Sequence, residues 1–240
     1  IIGASWVGDM VMAQTLFMVL KRQHPDAQID VLAPDWSRPI IARMPEIRNT
    51  ISMPVGHGKL DLSSRKQVAR ELKLKAYNQV IVLPNSLKSA LIPWLAKIPR
   101  RTGWRGEMRY GLLNDIRTLD KTRYPLMIER FVALAYPKDV ALPSPIPFPR
   151  LHIEAANQQA AMDKLGLCLH KPVIALCPGA EFGEAKRWPE SHYAAVADQL
   201  ITQGYQIWIF GSEKDQAVGD AIVASLSEQN RPLASNLAGR

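Results

Sequence analysis

The feature that most constrains the fold is a repeated succession of a short apolar run, a polar turn and a helical pattern, which opens the chain. Ile1 and Ile2 are apolar and β-branched, Gly3 permits a tight turn, and apolar residues follow at helical intervals over 7–20. This order predicts a strand end, a turn and a helix, with Asp9 near the helix N-terminus. In an open α/β sheet such a turn faces the ligand-binding crevice. Asp9 is therefore a candidate site residue, although it would also stabilise a first helical turn without any further role.

The same succession recurs along the chain and predicts two α/β domains. Strands are predicted at 29–34, 50–54, 79–83, 172–177 and 205–210. Helices are predicted at 39–44, 64–74, 87–96, 126–136, 153–165, 190–203 and 216–226. Residues 137–149 hold five prolines in thirteen positions, which excludes a helix or a central strand there. We therefore expect two Rossmann-like domains with parallel sheets facing a cleft, at 1–150 and 151–240.

Composition narrows the class of protein further. A chain of 240 residues with 47% hydrophobic and 22% charged residues is typical of a soluble α/β protein, and no apolar run approaches the roughly 20 residues of a membrane span. Cys168 and Cys177 lack metal or redox spacing, so we expect buried thiols of a reducing cytosol. The chain begins inside one strand pattern and ends, at 236–240, where another starts. We therefore expect a fragment with a truncated second domain.

The charge balance favours anionic partners. The 30 Lys and Arg residues outnumber the 22 Asp and Glu residues, giving a formal charge of +8. Phosphates, nucleic acid and anionic lipid would all match this charge. The five histidines show no ligand spacing, so the sequence predicts no metal site.

Polar turns at 5–9, 85–88 and 179–186 each follow a predicted strand. The glycine-rich turn that ends at Lys186 suits a diphosphate, because backbone N–H groups and an ammonium favour negative charge. The alternative is a solvated turn whose lysine faces water. Asp215 follows another strand, where a carboxylate can accept hydrogen bonds from a ribose. Residues 3–8 do not match the glycine pattern of dinucleotide-binding folds.

Four arginines lie within ten residues, which predicts an anion-recognition loop. Arg100, Arg101, Arg105 and Arg109 alternate with Trp104 and Tyr110. Arginine makes bidentate contacts with carboxylates and phosphates, and interleaved aromatic rings fit sugars or RNA. A solubilising surface loop would have the same composition.

Five ordered strings together resemble glycosyltransferase family 9, the heptosyltransferases. They are SWVGDM at 5–10, LPNSLKSA at 83–90, RTGWRGEMRYGLLND at 101–115, CPGAEFG at 177–183 and AKRWP at 185–189. The resemblance spans essentially the whole chain. It implies a GT-B architecture, a bacterial cytoplasmic enzyme and catalysis without a metal or other cofactor.

The implied reaction moves heptose from ADP-heptose to the first heptose of the lipopolysaccharide inner core on Kdo2-lipid A, inverting the anomeric centre. Asp9 matches the catalytic aspartate of the family and would act as the base. The expected donor-binding residues are Gly179, Lys186, Ser212 and Asp215 in the second domain. The expected acceptor-binding residues are Ser5, Trp6, Asn85, Lys88, Arg101, Arg105 and Arg109 in the first domain.

Three other functions stay open at this point. A transferase of the same family could act on Kdo instead of heptose, although the string at 104–115 favours the heptose acceptor. The fold alone also allows a dinucleotide-dependent oxidoreductase, and the charge allows a nucleic-acid-binding module. For the preferred function we expect no nucleic-acid partner. The lipid-linked acceptor and the basic segment 65–75 suggest peripheral contact with the inner membrane.

Overall fold

The computed structural model describes residues 1–55, 60–180 and 183–240, and divides the chain into two compact units. The units are Ile1–Ile153 and Glu154–Arg240. No helix within the described ranges combines the length and apolar character that crossing a bilayer requires. In the same part of the chain, no three His, Cys, Asp or Glu side chains gather where they could hold a metal ion. His57, Glu181 and Phe182 lie outside the described residues.

The first unit is a parallel sheet between two helical layers. Its strands are β1 (Ile29–Ala33), β2 (Ile47–Ser52), β3 (Gln79–Val82), β4 (Arg100–Trp104) and β5 (Asp115–Arg117). Its helices are α1 (Val7–Gln23), α2 (Arg38–Ile41), α3 (Leu62–Leu74), α4 (Leu87–Leu95) and α5 (Met127–Val132). β1 pairs with β2, β3 with β4 and β4 with β5, all in parallel.

The N-terminal segment joins the two parts of this sheet. Ile2 bridges in parallel to both Leu32 and Val82. Its N–H donates to the Ile81 carbonyl at 2.9 Å, and the Gly3 N–H donates to the Leu32 carbonyl at 2.8 Å. The predicted first strand therefore lies between β1 and β3, and the chain leaves the middle of the sheet to enter α1.

Alternating strand residues fill two separate apolar cores. Val31 faces the core that contains Leu16 and Phe17 of α1, whereas Leu32 faces the core that contains Val68 and Leu72 of α3. Side chains along a strand point to opposite faces, so one strand supplies both cores. Helices on both faces are typical of the Rossmann-like arrangement that the sequence predicts.

The second unit repeats the alternation of helix and parallel strand. Its elements are α6 (Ala155–Leu165), β6 (Val173–Leu176), α7 (Glu190–Thr202), β7 (Gln206–Ile209), α8 (Gln216–Ala224) and β8 (Ala234–Asn236). The strand order is β6-β7-β8, in parallel. Fully buried residues of α7, β7 and α8 form the core, among them Ala197, Ile207 and Ile222.

Two sequence-based expectations are wrong. The arginine-rich stretch is not a loop throughout, because Arg100–Trp104 forms β4 and pairs with β3. Cys168 and Cys177 are exposed rather than buried. Cys177 follows β6 directly and so lies past the end of the strand, whereas Cys168 lies in the connection between α6 and β6. Cys177 is therefore exposed although its neighbours are apolar, because β6 ends before it.

Candidate active site

A cleft opens in the first unit where the parallel strands end. Its volume is about 500 Å³, and it is lined by turns that follow Ile2, β1 and β3. Five of the predicted site residues line it, namely Ser5, Trp6, Asp9, Asn85 and Lys88. Residues that are 80 positions apart in sequence are thus brought to one cavity by the parallel sheet, as expected for a site at the carboxyl ends of the strands.

Asp9 lies in the first turn of α1, beside the helix N-terminus. The N-cap residue Trp6 has an extended backbone, with φ −89° and ψ 139°, and no side chain caps the helix. Asp9 itself is partly buried. Within the described part of the chain, its carboxylate has no hydrogen-bond or ion-pair partner. Both carboxylate oxygens are therefore available to a ligand in the cleft.

The turn between β3 and α4 carries Asn85, Lys88 lies in the first turn of α4, and residues that follow β4 fix this segment. The Glu107 N–H donates to the Asn85 carbonyl at 2.9 Å, and the Glu107 carboxylate accepts from the Leu87 N–H at 2.7 Å. Gly106 has a φ of +50°, and a Cβ there would lie 2.3 Å from the Asn85 carbonyl oxygen. This close approach requires glycine. The two segments therefore form one rigid edge of the cleft.

Arg109 also stabilises this turn, from the interior of the first unit. Its side chain is fully buried, and Nη1 donates to the Pro84 carbonyl at 2.6 Å and to Ser89 Oγ at 3.2 Å. Nη2 donates to the Trp104 carbonyl. Burial lowers the pKa of Arg109 to about 10, and the negative charge of Glu107 opposes the shift. Arg109 thus stays cationic near neutral pH. Its guanidinium is buried and does not line the cleft, so it is not placed to contact a sugar bound there, contrary to the prediction.

Arg65 is a second buried cation at the cleft. It is 5% exposed, lines the cavity and donates from Nη1 to the Lys88 carbonyl at 3.0 Å. Burial lowers its pKa, and the negative charge of Asp61 opposes the shift. With Lys88 it faces a cavity whose acidic residues are Asp9 and Glu107. The cleft therefore presents two cationic and two acidic side chains, which suits a ligand with several hydroxyl groups.

The other predicted arginines do not line this cleft. Arg101 donates to the carbonyls of Leu112 at 2.7 Å and Ile98 at 2.6 Å, which fixes the start of β4. Arg105 is exposed, its backbone N–H donates to the Arg117 carbonyl at 2.6 Å, and its carbonyl accepts from Arg109 Nε at 3.4 Å. An acceptor-binding role for these two residues stays a prediction.

The second unit has its own pocket, with a volume of about 440 Å³. Gly179, Ser212 and Asp215 line it, as predicted, together with Arg187 and Lys214. Lys186 ends a 3₁₀ turn and is exposed, but it is not among the lining residues. The cationic groups at this pocket are therefore Arg187 and Lys214, and contact between Lys186 and a diphosphate stays a prediction.

Asp215 is bonded within the turn that follows β7 and packs against Gly179, in the turn that follows β6. Its Oδ2 accepts from the Ser212 N–H at 2.8 Å and from Ser212 Oγ at 2.7 Å. These bonds hold its pKa below the usual value, against a small effect of burial, and Arg187 and Lys214 add to the lowering. The resulting stabilisation is present at neutral pH and is lost as the pH falls through the lowered pKa. A Cβ on Gly179 would lie 2.4 Å from Oδ1, so glycine permits this contact.

Comparison with known proteins decides the family. A family model described as glycosyltransferase family 9 (heptosyltransferase) matches residues 65–240. Lipopolysaccharide heptosyltransferase 2 of Salmonella typhimurium is 52% identical over 244 residues, covering 100% of this chain and 70% of that protein. Lipooligosaccharide heptosyltransferase 2 of Haemophilus influenzae is 51% identical, covering 100% and 71%. The chain belongs to glycosyltransferase family 9.

The family 9 assignment also fixes the fold. The structure of Escherichia coli ADP-heptose lipopolysaccharide heptosyltransferase II matches with a TM-score of 0.90 and 48% identity, covering 99% of this chain and 71% of that one. The two units are accordingly the Rossmann-like domains of a GT-B glycosyltransferase. The predictions of family, fold and enzyme class are confirmed.

Trp36, Arg65 and Glu107 also line the cleft, although they are not among the site residues that the sequence predicts. Trp36 follows β1, so the rule that sites lie at the carboxyl ends of parallel strands could have indicated it. For Arg65 the sequence predicts only a place in a basic amphipathic helix, and Glu107 follows a strand that the sequence does not predict. The positions of Arg65 and Glu107 depend on tertiary contacts that no local pattern records.

We expect Arg109→Met to lower the free energy of unfolding by about 2–4 kcal/mol, because the Pro84 and Trp104 carbonyls would lose their donor. Urea unfolding followed by circular dichroism measures this loss. Arg105→Met is the matched control, since Arg105 is exposed and nearby, and it should change stability by less than about 0.5 kcal/mol. Equal stability of the two variants would show that the β3–α4 turn does not depend on Arg109.

We expect Gly179→Ala to lower the melting temperature by several degrees only while Asp215 is present. Gly179 is not among the glycines with positive φ, so alanine fits the backbone and the cost comes from its contact with Asp215. In an Asp215→Ala background the same change should cost little, with a coupling of about 1 kcal/mol or more in the double-mutant cycle. Additive effects would mean that the two residues do not meet.

Proposed function

We propose that this chain transfers L-glycero-D-manno-heptose from ADP-heptose to the first heptose of the lipopolysaccharide inner core, with inversion. The observation that carries the proposal is the position of Asp9 in the cleft of a family 9 glycosyltransferase. The relatives that are about half identical bear the name heptosyltransferase 2, which favours a heptose acceptor over Kdo.

In the proposed reaction, Asp9 acts as the general base. One oxygen of its carboxylate takes the proton of the acceptor hydroxyl while that hydroxyl oxygen bonds to the anomeric carbon of the donor. The bond from this carbon to the diphosphate breaks on the opposite face, ADP leaves with the electron pair, and the configuration inverts. A base must lie within hydrogen-bond reach of the proton that it takes. Asp9 can meet this requirement, because its carboxylate lies at the cleft and has no hydrogen-bond or ion-pair partner among the described residues.

The first unit is proposed to bind the acceptor and the second unit the donor. Asn85 and Lys88 line the cleft that contains Asp9, where an amide and an ammonium would meet the hydroxyl and acidic groups of the inner core. Arg187 and Lys214 line the pocket of the second unit, where their charges would stabilise the departing diphosphate. Gly179 and Ser212 line the same pocket. Lys186 is a further candidate for the diphosphate.

We expect Asp9→Asn in the full-length enzyme to lower kcat by about 10²- to 10⁴-fold, because the amide cannot accept the proton. The assay measures heptose transfer from ADP-heptose to heptosyl-Kdo2-lipid A, and calorimetry measures retained ADP-heptose binding. Asp26→Asn, at an exposed position after α1, is the matched control and should be fully active. Full activity of Asp9→Asn would contradict a role as general base and would leave Asp9 only the role of stabilising the first turn of α1. A parent that prefers heptose-free Kdo2-lipid A would contradict the proposed acceptor.

The lipid-linked acceptor suggests peripheral contact of this cytoplasmic enzyme with the inner face of the inner membrane. Lys66, Arg70 and Lys73 of α3 are exposed at positions i, i+4 and i+7, so they share one helix face, and Leu74 beside them is 88% exposed. Arg65, by contrast, is buried and contributes no charge to this surface. A basic helix face with an exposed leucine is suited to an anionic bilayer.

We expect replacement of Lys66, Arg70 and Lys73 by Gln to weaken vesicle binding by more than about tenfold, since each basic residue near such a surface contributes about 1 kcal/mol. Co-sedimentation at low salt with phosphatidylglycerol–phosphatidylethanolamine vesicles measures the binding. The control variant replaces Lys121, Lys138 and Lys164, which are exposed elsewhere. Equal loss in both variants would indicate only net charge, and no binding by the parent would contradict membrane contact.

A further inference from the structure

We propose that Trp36 is a sugar-stacking residue of the acceptor subsite, with its indole packing against a pyranose ring of the inner-core oligosaccharide. The inference rests on the proposed function, because it identifies the ring that would lie beside the acceptor hydroxyl at Asp9. Trp36 and Asp9 line the same cleft. No motif in the sequence indicated this role, which follows from where β1 ends and from how the indole is held.

The indole of Trp36 is exposed and yet fixed in position. It is 54% exposed, and its Nε1–H donates to the Ser5 carbonyl at 2.9 Å. Ser5 directly precedes Trp6, the N-cap residue of the helix that carries Asp9. The indole is thus bonded to the same turn that positions the proposed base. A sugar that stacks on a fixed ring loses less conformational freedom on binding than one that must first order a mobile side chain.

Trp104 shows what an indole does when its role is packing. It is 7% exposed, its Nε1–H donates to the Arg130 carbonyl at 3.2 Å, and it belongs to the apolar core beside α1. Trp36 makes an equivalent hydrogen bond but leaves its ring uncovered in a cleft. A large apolar group that stays in water at a site is typical of a binding surface.

The residues on either side of Trp36 are paired or buried, so the indole is the group of this segment that a ligand would contact. The preceding Asp35 forms an ion pair with Arg38 at 3.2 Å, and the following Ser37 is fully buried. Trp6, on the same turn as Ser5, also lines the cleft and is 49% exposed. Two indoles near one carboxylate suit a ligand that has apolar C–H faces between polar hydroxyl edges, as a pyranose has.

The test compares Trp36→Ala and Trp36→Phe with Trp94→Ala in the full-length enzyme. Trp94 on α4 is 46% exposed and does not line the cleft, so it is a matched control. We expect Trp36→Ala to raise KM for heptosyl-Kdo2-lipid A by about tenfold, a size typical of aromatic contacts, with little change in kcat or in KM for ADP-heptose. Trp36→Phe keeps a ring without the N–H and should lie between Trp36→Ala and the parent. Trp94→Ala should match the parent.

A binding measurement separates this inference from the proposed function. The deacylated heptosyl-Kdo oligosaccharide is titrated against each variant, and tryptophan fluorescence and calorimetry follow the binding. Binding that weakens only in the Trp36 variants supports stacking even where the parent shows no transfer, in which case the proposed function alone fails. An unchanged acceptor KM and affinity in Trp36→Ala overturns the inference. A change confined to ADP-heptose also overturns it, because the indole would then meet the donor.

Discussion

The structure of the first unit depends on the backbone hydrogen bonds of its N-terminal segment. Ile2 pairs with both β1 and β3, and without it these strands would belong to separate sheets. The segment therefore completes the sheet and also fixes where the chain leaves it. Because α1 begins at Val7, four residues after Gly3, the position of Asp9 follows from the hydrogen bonds of residues only six or seven positions earlier. The hydrogen bonds that complete the sheet therefore also position the proposed base.

A second constraint acts on the opposite wall of the cleft. Asn85 in the β3–α4 turn and Lys88 in the first turn of α4 lie on this wall, and Arg65, Glu107 and Arg109 set the conformation of the segment. Each bonds the turn at a different atom, and both arginines are buried. Burying a guanidinium is costly, and arginine is tolerated here because its several donors can meet several carbonyls at once. The wall is therefore held by charged groups, of which Arg65 and Glu107 also line the cleft whereas Arg109 does not.

Sequence patterns predicted the elements well where apolar periodicity decides the structure. The helix that starts at Val7 and the strand at 79–82 are examples, and Gly166 ends α6 as predicted, with a φ of +64°. Patterns failed where a residue's environment depends on distant contacts. Arg109 belongs to an arginine-rich string that suggests a surface, yet it is fully buried because Pro84, Ser89 and Trp104 surround it.

The same limit applies to the candidate site. The rule for parallel sheets placed Asp9 and Asn85 in one cleft although the sequence holds no direct sign that they meet. Trp36 obeys the same rule but was not predicted as a site residue, because no motif marks the turn that follows β1. Glu107 could not have been found in this way, since its role depends on a β4 that the sequence did not predict.

The pocket of the second unit shows how an acid at a binding surface can already be engaged. Asp215 fits the ribose-binding position predicted from the sequence, but Oδ2 is occupied by both donors of Ser212. The carboxylate also packs against Gly179, where a Cβ would lie 2.4 Å from Oδ1. The glycine matters to this pocket because the carboxylate of Asp215 occupies the space that a side chain would fill.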